Sequence, residues 1–332
     1  MKLSVICPFY NEEKYVPQLL ECIDKQDLPK DEWEVLFVDG YGRDSSRWLI
    51  EDFVRKHESA RIIENPHRIA SYAVNLGVET SRGEYIIRLD AHAWYPANYC
   101  SVLVRLCEET GADNIGCICH TKALNKNKKS LAICEVLSHP FGVGNSQFRI
   151  GVKTLQRADT VPFGCFPKST FERFGKYDTR LVRNQDIEFN HRIIAGGGSI
   201  YLTPEVYFVY YARETWLALA KNNYGNGKWN ILTVWYTKMI SSLSIRHFIP
   251  LLFVLSLIVP TLLALLWWPF ILISALSLLA YTCLLSVVSL KLAVTKKLNF
   301  FYLIVTFFVL HLSYGWGSLD GLFTLMKGEK IA

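Results

Sequence analysis

From Ile249 to Trp268 the sequence carries no charged side chain, and after Pro269 neither does Phe270 to Leu290. Each stretch has the length a helix needs to cross a hydrocarbon layer roughly 30 Å thick. Two such stretches in succession, with Trp267, Trp268 and Pro269 between them, predict a helical hairpin that turns at a membrane interface. A third candidate runs from Phe300 to about Leu319, and Gly315, Gly317 and Asp320 interrupt its end. Lys291, Lys296 and Lys297 precede it in a short loop. The excess of cations on cytoplasmic loops puts that loop in the cytoplasm, and with it everything before the hairpin. The topology of the last segment stays open.

Everything before Phe248 has a different texture. Polar and apolar residues alternate in short periods, and the net charge of +6 over 332 residues is scattered. With no long basic run and no nucleic-acid module, the charge reads as solubility and attraction to anionic lipid or phosphorylated substrate, not nucleic-acid binding. The nine cysteines are odd in number and form no Cys-x-x-Cys pair. Most sit in apolar surroundings, as reduced core thiols do. Cys117-Ile118-Cys119-His120 lacks a second ligand pair at zinc spacing. Met1 to Cys7 reads as a strand and not as a secretory leader.

Strand and helix alternate over the first 210 residues. Strands are predicted at Lys2–Cys7, Glu34–Val38, Arg61–Glu64 and Glu84–Leu89, and helices at Glu12–Lys25, Ser45–His57, Ala70–Thr80 and Asp186–Ala195. Such a series implies a mainly parallel sheet with right-handed crossovers. No Gly-x-Gly-x-x-Gly follows a strand and no Walker lysine occurs, which argues against dinucleotide oxidoreductases and P-loop enzymes. Three strands end in Pro8-Phe9-Tyr10-Asn11-Glu12, in Asp39 and in Asp90. All three ends converge on the edge where open α/β sheets bind ligands. In an extended chain Asp90 and His92 would face the same side. One carboxylate and one imidazole suit Mg²⁺ or Mn²⁺, and the ion would suit a diphosphate. Taken alone, Asp39 reads equally as a turn residue before Gly40, Asp90 as a turn aspartate, and Asp186 as a helix cap after Asn184.

The ordered set of motifs resembles the family 2 glycosyltransferases of the GT-A fold. It comprises Ser4–Glu13, Val38-Asp39-Gly40 with Asp44-Ser45, Asn65 through Ala73 to Asn75, and Ser81–Ile86 leading into Asp90. It continues with Gly164-Cys165-Phe166 and Asn184–Phe189. The Asp-Ala-His-Ala form, the segment His139–Ser146 and the apolar tail are similar to the succinoglycan-type, membrane-bound glucosyltransferases of exopolysaccharide assembly.

The resemblance implies a GT-A catalytic domain over 1–212, amphipathic interfacial helices over 213–248 and membrane helices over 249–326. It implies a multi-pass protein of the bacterial inner membrane that moves one hexose from a nucleotide-sugar, by inversion, to a polyprenyl-linked saccharide. Asp39 would hold the base or ribose, with Pro8, Tyr10 and Glu12 lining that pocket and Arg68 reaching the diphosphate. Asp90 and His92 would hold Mg²⁺ or Mn²⁺, and Asp186 would be the general base, kept ionised by its helix N-terminus. Gly164, Cys165, Lys228 and Trp229 would lie on the acceptor side. His92 stands where the family has a second acid, and Gln185 where it often has Glu. Gly225–Trp229 matches the Gln-x-x-Arg-Trp motif of processive synthases only at Trp229, with Lys228 as a basic substitute, which favours single-sugar transfer. Transfer to a polyprenyl monophosphate and a non-catalytic sugar-nucleotide scaffold are the alternatives. The sugar, the linkage and the acceptor saccharide are not legible.

Overall fold

The computed structural model describes residues 1–239 and 243–327. The chain forms two compact units. The first holds Met1–His120 and Gln147–Tyr211, and the second holds Thr121–Ser146 and the described residues from Ala212 onward. Their elements in chain order are β1 (Leu3–Phe9), α1 (Val16–Asp24), β2 (Trp33–Asp39), α2 (Ser46–Val54), β3 (Ala60–Glu64), α3 (Ala70–Thr80), β4 (Tyr85–Arg88), β5 (Ala93–Trp94), α4 (Tyr99–Thr110) and β6 (Asn114–Lys122). Next come α5 (Lys128–Val136), α6 (Pro140–Val143), α7 (Gln147–Ile150), β7 (Gln156–Arg157), β8 (Cys165–Pro167), α8 (Lys168–Phe174), α9 (Gln185–Ala195) and β9 (Ile200–Tyr211). The last four are α10 (Trp216–Thr237), α11 (Ile249–Leu263), α12 (Phe270–Lys296) and α13 (Phe300–Met326).

The sheet runs β3-β2-β1-β4-β8-β6-β9-β5, with β7 paired to β9. The four strands from β3 to β4 are parallel, and β8 joins β4 antiparallel. Helices cover both faces of the parallel part, so β1 and β2 are apolar nearly throughout and buried on both sides. Apart from Asp39 at the end of β2, the polar residues of those strands are Ser4 and Glu34, and they meet each other. Ser4 Oγ donates to the buried Glu34 at 2.7 Å, and Glu34 also takes Arg61 at 3.1 Å and Arg82 at 3.0 Å. Gly83 N–H donates to Ser4 Oγ at 2.8 Å, and a Cβ on Gly83 would collide with the β1 backbone. This cluster fixes the Ser81–Glu84 turn against the start of the sheet.

The strand expected over Glu84–Leu89 is shorter, and the chain leaves it after Arg88. Ala91 and His92 lie in a turn, so Asp90 and His92 are not two residues of one extended strand. Tyr95 imposes the bend: Asp90 N–H donates to the buried Tyr95 hydroxyl at 2.8 Å, and that hydroxyl donates back to the Asp90 carbonyl at 3.3 Å. All nine cysteines are unpaired with one another, and seven of them are buried.

Among the described residues of the second unit three helices are long and apolar enough to cross a membrane: Ile245–Leu263, Phe270–Lys296 and Phe300–Met326. The third runs straight through Gly315, Gly317 and Asp320, which the sequence reads as interruptions. The glycines instead let neighbouring helices approach: Gly315 faces the Pro250 carbonyl of α11, while Gly317 and Gly321 face α10. A Cβ on Gly317 would strike the Tyr224 carbonyl, one on Gly227 the Tyr314 carbonyl, and one on Gly321 the Lys228 carbonyl. Small residues let two backbones approach in the way that membrane helices use. Asp320 pairs with Lys228 at 2.7 Å across the same seam. The stretch expected to form interfacial helices is one 22-residue helix, α10, followed by a short turn of helix at Ile245–His247. Residues 240–242 of that stretch lie outside the described residues. The excursion Thr121–Ser146 also belongs to this unit: Lys296 bonds Glu135 at 2.7 Å, and Phe141 packs edge-on to Phe307.

Candidate active site

A cleft of about 180 Å³ opens at the C-terminal ends of β1, β2 and β4. Pro8, Tyr10, Glu12, Val38, Gly40, Asn65, Arg68, Arg88, Asp90 and His92 are among its lining residues. Six of the residues expected at the donor side thus share one wall: Pro8, Tyr10, Glu12, Arg68, Asp90 and His92.

The loops that form this wall brace one another. Arg43 N–H donates to Asn11 Oδ1 at 2.7 Å, Glu12 N–H to Ser46 Oγ at 2.8 Å and Glu13 N–H to Asp44 Oδ2 at 2.9 Å. The β1 loop and the β2 loop are therefore one structure. Asn65 N–H donates to the Asp39 carbonyl at 2.8 Å, and the Asn65 carbonyl accepts from Arg68 N–H at 3.2 Å, which presents Arg68 to the cleft. Asn11, Tyr41, Arg68, Phe163 and Asn184 all adopt positive φ, between 50° and 63°. Non-glycine residues in this region cost energy and gather where function over-determines the backbone. Each of the five lies in a site loop or directly beside a site residue.

Asp39, the remaining residue expected on the donor side, is not among the lining residues; it is buried at the end of β2 between Val38 and Gly40. Its Oδ1 accepts from Tyr41 N–H at 2.8 Å and its Oδ2 from Arg47 at 2.9 Å. Arg47 also reaches Glu51 and Glu64, and these carboxylates hold its pKa above the ordinary arginine value.

Asp90 meets a residue that motif reading passed over. Arg88 donates Nε to Oδ1 at 2.7 Å and Nη2 to Oδ2 at 3.0 Å, and both side chains are only 12% exposed. Burial works against the charge of Arg88, yet Asp90, and to a lesser degree Tyr177 and Asp186, keep its pKa above the ordinary value. Its guanidinium lies 5.4 Å from the centre of the Phe163 ring. A charge inside the otherwise apolar run Tyr85–Leu89 was the available signal, because a buried arginine needs an acid nearby.

His92 turns Nδ1 toward Glu12 Oε1 at 3.4 Å and stands edge-on to Tyr210. Among the described residues no group of three or more His, Cys, Asp or Glu side chains is arranged to hold a metal alone. Asp90 and His92 share one wall, a carboxylate and an imidazole of the kind that would hold a divalent ion beside a diphosphate, once Arg88 releases the carboxylate oxygens.

Asp186 sits in the first turn of α9, and its Oδ1 accepts from Ile187 N–H at 2.9 Å. The helix is pinned in place: Asn190 Nδ2 donates to Thr160 Oγ1 at 2.9 Å and to the Val161 carbonyl at 3.0 Å. The helix N-terminus was expected to dominate the acidity of Asp186. Instead, burial raises its pKa above the ordinary aspartate value, and Asp90 adds to the rise. Arg88 and the N–H groups of Ile187 and Asp186 oppose it without cancelling it. Asp186 therefore lies in the same electrostatic field as Arg88 and Asp90.

The expected acceptor-side residues fall in different units. Gly164 and Cys165 are buried in the first, and the Cys165 side chain is wholly in the core, so it presents no group to a ligand. Lys228 and Trp229 are in the second, Lys228 paired with Asp320 and Trp229 buried.

The sequence profile of glycosyl transferase family 2 matches residues 4–175. A dolichyl N-acetyl-alpha-D-glucosaminyl phosphate 3-beta-D-2,3-diacetamido-2,3-dideoxy-beta-D-glucuronosyltransferase of Methanococcus voltae is 28% identical over 280 residues, covering 78% of this chain and 86% of that protein. The succinoglycan biosynthesis protein ExoA of Rhizobium meliloti is 29% identical over 226 residues, 68% of this chain and 67% of that protein. Among solved structures, the mannosyltransferase PcManGT of Pyrobaculum calidifontis, in complex with GDP-Man and Mn²⁺, aligns with a TM-score of 0.61. That alignment covers 97% of this chain and 87% of that one at 16% identity, a likeness of fold.

Proposed function

Because this chain belongs to the family 2 glycosyltransferases, with their GT-A fold and three apolar helices that could span a membrane, we propose that it moves one hexose from a nucleotide-diphospho-sugar to a lipid-linked saccharide. Transfer inverts the anomeric carbon. The observation that carries this reading is the position of Arg88, bonded to Asp90 through both carboxylate oxygens and electrostatically coupled to Asp186. An acid suited to the diphosphate side and an acid suited to base catalysis thus share one arginine.

In this reading the nucleotide lies over the ends of β1 and β2, along Pro8, Tyr10 and Glu12 and near Asp39. Arg68 reaches the diphosphate. Asp90 and His92 would hold Mg²⁺ or Mn²⁺, which when bound would supply positive charge against the leaving nucleoside diphosphate. Asp186 takes the proton of the acceptor hydroxyl as that oxygen forms its bond to C1. The bond from C1 to the phosphate oxygen breaks on the opposite face, and its electron pair leaves with the diphosphate. A raised pKa suits a base, since proton affinity rises with it as long as the group stays ionised at working pH.

A lipid-linked acceptor is supported by the apolar helices and by the Methanococcus relative, whose name specifies a dolichyl-linked phosphosugar. The cations of the Lys291–Lys297 segment favour a cytoplasmic catalytic unit, in a bacterial inner membrane. Residues 1–212, apart from the Thr121–Ser146 excursion that belongs to the second unit, would be the catalytic domain and 249–326 the anchor, with α10 carrying Lys228 and Trp229.

The test is transfer of radiolabelled sugar from UDP-glucose, UDP-galactose or GDP-mannose to extracted polyprenyl-linked lipid, by purified membranes with Mn²⁺ or EDTA. Metal-dependent label that Asp186→Asn abolishes supports the proposal. Label that survives the substitution indicates a phosphate acceptor, which needs no base. Nucleotide binding without transfer to any acceptor indicates a scaffold.

A further inference from the structure

We propose that Arg88 is a gate on Asp90: it occupies both carboxylate oxygens that a divalent ion would use, and yields them only to an ion that arrives with a diphosphate. The proposal rests on the reading of Asp90 as the metal ligand. Arg88 acts here as a positioning residue and makes no bond to the reacting carbon.

Three observations support it. The pairing is fork to fork, at 2.7 and 3.0 Å, and neither side chain is more than 12% exposed. A bidentate, desolvated arginine–carboxylate pair is among the stronger polar contacts a protein makes. The guanidinium also has a built seat. Phe163 faces it at 5.4 Å from a backbone held at a φ of 50°, and the Phe163 carbonyl accepts from the Tyr99 hydroxyl at 3.2 Å. Finally, Asp186 acts electrostatically on the guanidinium, so Asp90 is not the sole negative charge that Arg88 senses.

A divalent ion alone must displace this cation and then sit beside it, two like charges in a poorly hydrated place. A metal–diphosphate complex brings phosphate oxygens that can receive the guanidinium as Asp90 releases it. Metal and donor therefore bind synergistically, and the metal alone binds weakly.

The experiment titrates Mn²⁺ into the purified full-length protein and follows unbound Mn²⁺ by electron paramagnetic resonance, alone and then with UDP or GDP. Wild type should bind Mn²⁺ weakly alone and much more tightly with one of the diphosphates. Arg88→Met should bind Mn²⁺ alone at least about tenfold more tightly, as removal of a charge-assisted competitor implies, and its gain from the diphosphate should shrink by the same factor. Arg88→Lys, which keeps charge but loses the fork, should fall between the two and serves where Arg88→Met fails to fold. Unchanged or weaker Mn²⁺ binding in both variants, with binding still lost in Asp90→Asn, overturns the gate while sparing Asp90 as a ligand. Binding that survives Asp90→Asn overturns both.

Discussion

The guanidinium of Arg47 donates to the buried carboxylate of Asp39 at 2.9 Å, and the same side chain reaches Glu51 at 2.8 Å and Glu64 at 2.9 Å. Asp39 is thus oriented from α2 while its other oxygen takes the Tyr41 N–H. Arg47→Met leaves that buried carboxylate without its countercharge. Such a loss costs about 1–3 kcal/mol. The expected outcome is a severalfold to roughly hundredfold rise in the donor KM with kcat little changed. Calorimetric titration with UDP and GDP checks it, and unaltered affinity for both would remove Asp39 from the nucleotide pocket.

Asp186→Asn should lower kcat by about 10²- to 10⁴-fold, the usual worth of a general base, with donor affinity retained. The acid limb of the kcat/KM profile should lie above the pH of an ordinary aspartate, because burial raises this carboxyl. The same shift has a cost in stability. A folded state that raises an acid's pKa binds protons more tightly than the unfolded chain, so stability falls as pH climbs from the unfolded value of 3.8 through the raised one. Asp186→Asn should therefore melt at a higher temperature than wild type at neutral pH, and this advantage should vanish below about pH 4. Equal or lower melting temperature at neutral pH contradicts the shift.

Glu34 works in the opposite direction. Burial opposes its charge, but the Arg82 N–H, Ser4, the Arg82 side chain and Arg61 together hold its pKa below the ordinary 4.5. The stability this gives is complete above the unfolded value and drains away as pH falls through the depressed one. Glu34→Ala should destabilise the first unit by about 1–3 kcal/mol at neutral pH, since the buried Ser4 hydroxyl and the Arg82 N–H lose their acceptor while the exposed arginines turn to water. Glu34→Gln should lose less and show a shallower acid decline. Melting curves between pH 3 and 7 (about that span) would decide it.

Gly317 admits the Tyr224 carbonyl against α13, so Gly317→Leu should separate α10 from α13. Protein recovered in detergent should fall and aggregate at a lower temperature, whereas Leu322→Ala, at an exposed position of the same helix, should be nearly silent. Lys228→Met or Asp320→Asn alone leaves one charge of the seam pair unmatched. Each should cost more than the double substitution, a coupling that a double-mutant cycle measures.

Periodicity made most of the secondary elements legible. The helix expected over Ala70–Thr80 is α3 to the residue, and the three apolar stretches are the three long helices. The parallel pairing of β1 to β4 was readable from strand–helix alternation, whereas the strand order and the antiparallel strands beyond β4 were not. Local context misled in two places. Asp90 and His92 reach one cleft through a turn set by Tyr95, a residue whose hydroxyl partner no pattern announces. Gly315 and Gly317 resemble breaks because an isolated helix would weaken there, yet a neighbouring backbone occupies the space their missing side chains leave.

By itself the sequence determined the class of fold, the acids at the strand ends and the stretches able to cross a membrane. These follow from composition and spacing along the chain, which local physics reads directly. Only the tertiary structure decided what those acids face. It brought Arg88 onto Asp90 and into the field of Asp186, Arg47 onto Asp39, and Lys228 onto Asp320. It also decided that burial would outweigh the helix N-terminus in setting the acidity of Asp186. The charge state and partners of a group depend on what surrounds it in space, and residues distant in sequence supply most of those surroundings.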